Sequence, residues 1–208
     1  RSIRRHGTPI TPADRGSAQI AAIQKKLSSM ELSGRMLAMR DAKAGAAGGA
    51  TLAASSSSSG TGSYGDFWVS LFASSGSVGF AGHAAIVSTK NTITIESFAK
   101  DFSPIKKDGV QKYTNSWGTR TNVLMLRPKG ATTAKYTAAA KYAENQVGDP
   151  YNWNFLDKKT EKAFYCSQLV WRAWLNQDID IEKGSIPNGA VTPADLVNSS
   201  NTYIVISR

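Results

Sequence analysis

The stretch AGAAGGATLAASSSSSGTGS, residues 44–63, limits what this chain can fold into more than any other. It is small, flexible and almost uncharged, so it cannot bury enough apolar surface to offset the entropy of ordering it. It reads as a linker, and the domain boundary is expected at its end. Ahead of it lie a basic arm with Pro and Gly (1–16) and an amphipathic helix (17–43). The helix rests on Ile20, Ile23, Leu27 and Met30 at spacings of three and four, with Leu37 further on. Residues 1–63 are thus an N-terminal helical extension, either packed on the main domain or acting as a propeptide-like docking segment. Residues 64–208 are the expected folded domain.

From Tyr64 the pattern changes to short β-branched and aromatic runs. DFWVSLF (66–72), HAAIVST (83–89), TITIESF (92–98), NVLMLR (122–127) and TYIVIS (202–207) predict five strands. Helical patterns lie between the last two. Thr133 can cap a helix running towards Val147, with Gly148 as terminator and Pro150 beyond. A second helix is predicted from Cys166 to about Asn176. TPADL (192–196) offers Thr as cap and Pro at the first helical position; the same TPAD at 11–14 reads as another helix start. Strands and helices are segregated, so the class is α+β, a mostly antiparallel sheet packed against helices.

Composition removes several function classes. The net charge is +10, with nine basic and three acidic residues before position 61 and sixteen and twelve after it. That balance favours anionic partners such as a membrane surface or a cell-wall polymer. No nucleic-acid module or aromatic-interleaved basic stripe is present, so no nucleic-acid partner is expected. No run approaches the roughly 18 apolar residues of a membrane span. One cysteine forbids an intrachain disulfide, and two histidines without a CxxC make a Cys/His zinc site improbable. DIDIEK (178–183) lacks the glycine and distal glutamate of a calcium loop and reads as a polar edge or loop. The chain begins at Arg1 without methionine; a removed export signal and an arbitrary boundary explain this equally.

The single cysteine lies in FYCSQLVWRAW, residues 164–174. A free cysteine is often a small buried hydrophobe. Cys166, however, stands where an apolar helix begins, and the first N–H groups of a helix stabilise a thiolate. A cysteine nucleophile needs a base. His6 lies in the basic arm; His83 opens a strand after the Gly/Ser loop SSGSVGFAG, well placed to face a cleft. The hairpin HAAIVSTKNTITIESF supplies a third group. A two- or four-residue loop around Lys90 and Asn91 pairs positions whose numbers sum to 181. Glu96 then falls opposite Ala85 and diagonal to His83 on one face, roughly 7–8 Å away and within reach of a long side chain. A three-residue loop would turn Glu96 to the other face.

GHAAIV (82–87) followed far downstream by YCSQLVW (165–171), with GDFWVSLF and GDPYNWNF (148–155) between and before, resembles the circularly permuted branch of the NlpC-type papain-like amidases, the YiiX/YycO-like group of cell-wall-hydrolase relatives. Ordinary papain-like enzymes carry cysteine before histidine; the permuted branch reverses the order, as here. The resemblance spans residues 64–207. It implies a permuted papain-like fold, Cys166 as nucleophile, His83 as base and Glu96 as the residue orienting the imidazole. NSWG (115–118) also resembles the loop bearing papain's orienting asparagine, which makes Asn115 the alternative to Glu96. Tyr165 and Tyr151 are candidate substrate-binding residues.

The implied function is that of a cysteine amidase or peptidase acting on a bacterial cell-envelope substrate, first of all a peptidoglycan stem peptide, through a thioester and without metal or cofactor. The implied setting is secreted or wall-associated. Acyl transfer, cleavage of lipid amides or esters by the same residues, and a catalytically idle wall-binding module are the competing readings.

Overall fold

The computed structural model describes residues 61–71, 82–185 and 189–208. The basic arm, the amphipathic helix and the linker up to residue 60 lie outside the described residues, as do Phe72 and most of the Gly/Ser loop before His83. The last linker residues are held on the domain. The Thr61 carbonyl accepts from Trp68 Nε1 (3.3 Å) and Asn115 Nδ2 (2.8 Å).

Six strands among the described residues form one antiparallel sheet: β1 Phe67–Ser70, β2 His83–Val87, β3 Ile93–Phe98, β4 Gly109–Thr114, β5 Val123–Pro128 and β6 Thr202–Ser207. Their order across the sheet is β4-β3-β2-β1-β5-β6. β1 and β2 lie at the centre and are buried along their whole length, which is why they read as continuous apolar runs rather than alternating ones. Five strands were expected; β4 is the addition. It is an edge strand, GVQKYT, with one large apolar residue buried at its start and exposed polar residues along its second half. An edge strand has only one neighbour and little to bury, so its sequence carries a weak β signal.

The two faces of the sheet are covered differently. Phe67, Val69, Ala84, Ile86, Ile95, Leu124 and Leu126 face the helices and form the main core. On the other face Trp68, Ala85, Val87, Val123 and Met125 close around Trp117. Three helices are described: α1 Thr133–Asn145, α2 Cys166–Leu175 and α3 Pro193–Asn198. α1 is capped by Thr132, whose hydroxyl accepts from Lys135 N (3.4 Å), one residue earlier than expected. It buries a stripe of alanines, Ala139, Ala140 and Ala143. It stops at Asn145 rather than Val147, and the chain reverses through Gly148 at φ +106°. α3 has the expected Thr192 cap, closed by the Asp195 carboxylate on Thr192 N (2.9 Å).

Candidate active site

The β2–β3 hairpin has the register that a two- or four-residue loop predicts. Ile86 pairs Ile95 and Val87 pairs Thr94, around a four-residue loop closed by Ser88 N to the Ile93 carbonyl (3.0 Å). The ladder stops there. β2 stays paired to β1 as far as His83 opposite Ser70, and β3 stays paired to β4 as far as Phe98 opposite Gly109. Between β2 and β3 the sheet therefore forks at this end, so Glu96 is not a ladder neighbour of Ala85.

The start of α2 fills the fork. Ser97 Oγ donates to the Phe164 carbonyl (2.5 Å) from the β3 side. From the β2 side the Ala84 N–H is close enough to the Cys166 sulfur to favour its thiolate. The residues around Cys166 in YCSQ fix its orientation. Tyr165 Oη accepts from Val191 N (2.9 Å) and Ser167 Oγ donates to the Val191 carbonyl (2.8 Å), so both flanking side chains grip one residue. Gln168 is saturated. Its Oε1 accepts from Tyr165 N (3.1 Å) and Asn152 Nδ2 (3.0 Å), and its Nε2 donates to the Lys158 (3.1 Å) and Thr160 (3.3 Å) carbonyls. It thereby ties the long loop before α2 to the helix start. Only Cys166 is left to face the sheet.

There it meets His83. The imidazole Nε2 lies 2.8 Å from Glu96 Oε2, while Nδ1 is buried without a nitrogen or oxygen partner and the ring's remaining interaction is with the Cys166 thiol. All three groups are essentially inaccessible to solvent. Burial opposes the charged form of His83, but the hydrogen bonds and charges of Cys166 and Glu96 outweigh it and raise the imidazole pKa to about 9. Burial likewise opposes a Cys166 thiolate; His83, followed by the Ala84 N–H and Ser167, overcomes this and holds the thiol below its ordinary value. Glu96 is held low against its own burial by His83, Thr94 and Trp117. The favoured state is an imidazolium between a thiolate and a carboxylate.

The second oxygen of Glu96 is also occupied. Oε1 accepts from Thr94 Oγ1 (2.5 Å) and Trp117 Nε1 (3.0 Å). Trp117 lies nearly parallel to the His83 ring (centroids 5.9 Å, 12°), and Phe98 stacks on the same ring (4.0 Å). Thus NSWG reaches the site through its tryptophan. Asn115, the alternative orienting residue, is not brought to the imidazole. Its Nδ2 donates to the Thr61 (2.8 Å) and Asn91 (2.7 Å) carbonyls, which makes it a loop anchor.

The two tyrosines part company. Tyr165 is fully buried and its hydroxyl is committed to Val191; it anchors the helix start instead of lining a substrate pocket. Tyr151 is paired to Phe164 by an isolated bridge, and its buried hydroxyl has no hydrogen-bond partner. Burial, then the Cys166 charge, hold its pKa well above the ordinary range, so it stays a neutral donor. Gln168, Thr94 and Trp117 were not assigned to the site from sequence. Gln168 and Trp117 act through partners 8 to 21 positions away, and Thr94 through Glu96 two positions along the same strand, with no local pattern that marks them. Among the described residues no group of three or more His, Cys, Asp or Glu gathers that could hold a metal ion, and no helix is long and apolar enough to cross a membrane.

A family model described as permuted papain-like amidase enzyme, YaeF/YiiX, C92 family, matches residues 69–203. The uncharacterized protein YycO of Bacillus subtilis (strain 168) is 30% identical over 132 residues, covering 61% of this chain and 49% of that protein. The chain thus spans about half the length of this relative. The crystal structure of a protein described as metalloprotein yiiX, from Escherichia coli O157:H7, aligns with a TM-score of 0.49 and 14% sequence identity over 71% of this chain and 98% of that one.

Proposed function

This chain belongs to the permuted papain-like amidases of the C92 family and is a cysteine amidase or peptidase, and we propose that it hydrolyses an amide bond in a bacterial cell-envelope substrate with Cys166 as nucleophile, His83 as acid and base, and Glu96 as the group that orients and charges the imidazole. The observation that carries this reading is the His83 nitrogen pair. Nε2 is fixed on Glu96, while Nδ1 is buried with no oxygen or nitrogen hydrogen-bond partner and Cys166 lies close enough to raise the imidazole pKa.

In the first step the Cys166 thiolate adds to the amide carbonyl carbon. The Cys166 N–H at the start of α2 and the Tyr151 hydroxyl are the donors offered to the developing oxyanion. As the C–N bond breaks, His83 delivers its Nδ1 proton to the leaving amine, leaving a thioester and a neutral imidazole. A water then gives its proton to Nδ1 and adds to the thioester carbonyl. Collapse expels the thiolate, releases the carboxylic acid and restores the ion pair. If an amine takes the place of water, the same steps transfer the acyl group.

The preferred substrate is a peptidoglycan stem peptide and the setting is secreted or wall-associated. The reversed order of histidine and cysteine and the net charge of +10 support this reading. Digestion of purified peptidoglycan, followed by mass analysis, should release peptide fragments with the wild-type protein and none with Cys166→Ala. Intact peptidoglycan in both samples would remove this substrate. Product carrying an added amine in place of water would identify acyl transfer.

A further inference from the structure

Two loops leave the site on its two sides. Residues 99–108 follow Phe98, which stacks on His83. Residues 149–163 contain Tyr151 and lead to Cys166. They are fastened to each other by Asp108, whose Oδ1 accepts from Lys100 N (3.2 Å) and whose Oδ2 accepts from Tyr151 N (3.0 Å). Val110 N to the Asp149 carbonyl (2.8 Å) and Gly148 N to the Val110 carbonyl (2.9 Å) complete the seam. At this seam Gly109 takes φ +69° with its α-carbon against the Asp149 and Pro150 backbone, where any side chain would collide. The two loops therefore present one surface.

That surface is unusually apolar for one facing water. Phe102 (46%), Ile105 (47%), Trp153 (54%) and Leu156 (50%) are about half exposed, four of the seven large hydrophobic residues so described. Single exposed apolar residues need no explanation, but four on two loops fastened to each other do. Exposed lysines stand among them: Lys100, Lys106, Lys107, Lys159 and Lys162. Of the five acids on these loops only Glu161 is held in an ion pair among the described residues. Asp108 forms the seam, and Glu161 pairs with Arg172. Lys158 is answered by Glu182 (2.6 Å). Asp101, Asp108, Asp149 and Asp157 keep their charge, so the five exposed lysines exceed the carboxylates by one. The tip of the first loop also holds Lys106 at φ +56°, a left-handed conformation that a lysine rarely adopts.

We propose that loops 99–108 and 149–163 dock this protein on an anionic lipid interface, with the thiol–imidazole side of the domain turned towards it. Apolar side chains that enter the acyl boundary, with lysines reaching the headgroup phosphates, are the chemistry of interfacial binding. Apolar tips and cations together suit that partner. The inference stands on the two loops and not on the role of Cys166.

The test uses the full chain and sedimentation with vesicles of phosphatidylcholine alone and of phosphatidylcholine with phosphatidylglycerol. Binding to the anionic vesicles is expected, with weak or no binding to the neutral ones. Phe102→Ser/Ile105→Ser and Trp153→Ser/Leu156→Ser should each weaken it by about tenfold or more, and Lys106→Gln/Lys107→Gln by roughly tenfold, falling away as salt is raised. Phe102→Ser/Ile105→Ser should leave the melting temperature and the iodoacetamide reaction of Cys166 unchanged, which separates this proposal from the fate of the proposed chemistry. Anionic-vesicle binding that survives both apolar substitutions would assign it to the basic residues before position 61 and overturn the proposal. Equal binding to both vesicle types, binding to an anionic wall polymer without binding to vesicles, or no binding at all would overturn it too.

Discussion

Two buried ion pairs sit at opposite ends of β1 and β2, and they are completed differently. At one end Asp66 takes Arg127 in a two-point contact, Nε to Oδ1 at 2.7 Å and Nη2 to Oδ2 at 2.9 Å, and Oδ2 also accepts from Ser63 N (2.8 Å). Both carboxylate oxygens are satisfied from a rigid fork. A cavity of about 300 Å³ lies beside this pair. At the other end Glu96 is equally well satisfied, but its partner His83 keeps a nitrogen without an oxygen or nitrogen partner, beside the molecule's one thiol. Concavity lies at the first end and reactive chemistry at the second. A saturated pair holds strands; a pair with a deliberately unmatched atom can move a proton.

This contrast is broken most severely by removing the reacting atoms. Cys166→Ala and His83→Ala should each reduce amide turnover by about 10⁴-fold or more, since nucleophile and base act as a unit, while Asp66→Ala should keep turnover within a few-fold per folded molecule. The saturated end should answer in stability instead. Asp66→Ala is expected to cost about 2–3 kcal/mol in denaturant unfolding, less than a fully buried pair because Arg127 retains some solvent. A large loss of turnover from Asp66→Ala at unchanged stability would dissolve the distinction.

Glu96→Gln sharpens the comparison at the site itself. It keeps the shape and removes the charge, so the expected loss in kcat is about 10–10²-fold, the value of a charge-assisted hydrogen bond. The pH profile carries the sign. Activity needs thiolate and imidazolium together. In the wild type it rises as Cys166 ionises, below the ordinary thiol range, and falls as His83 loses its proton near pH 9. Removing the carboxylate takes away a group that raises the His83 pKa, so the alkaline limb should move to lower pH. An unmoved alkaline limb would take Glu96 out of the orienting role.

The smallest effect is expected at Asn115. Asn115→Ala loses two hydrogen bonds to loop carbonyls and a longer one accepted from Trp117 N (3.4 Å), together worth about 1–2 kcal/mol of stability, and should keep turnover within about tenfold with an unchanged pH profile. A collapse of turnover at full stability would return the orienting role to Asn115.

The difference between the two ends also explains what the sequence could disclose. The hairpin register was legible as one of two, an even loop putting Glu96 on the His83 face and a three-residue loop on the other, and the structure has the even loop. The start of α2 was legible from the apolar run that begins at Cys166. The fork was not, because strand pairing beyond a loop depends on what is wedged between the strands, here the Phe164 carbonyl and the Cys166 sulfur. β4 was missed for lack of apolar residues on its exposed half. Tyr165 and Tyr151 look alike in the sequence; one is tied down by the Val191 backbone 26 positions later, a partner that only the tertiary fold supplies. Trp117 shows the same limit, since a tryptophan in a turn carries no sign that its N–H will meet a carboxylate on a neighbouring strand.

The central claim is that Cys166 and His83 rest as a thiolate–imidazolium pair, and the single cysteine makes this directly measurable. Ultraviolet titration of the thiolate, with the iodoacetamide rate followed on the same samples, should place wild-type Cys166 ionisation below the ordinary thiol range of about 8–9. It should return to that range or above in His83→Ala, where burial is opposed only by the Ala84 N–H and Ser167. Wild-type ionisation at the ordinary value, or a titration that His83→Ala leaves in place, would contradict the account.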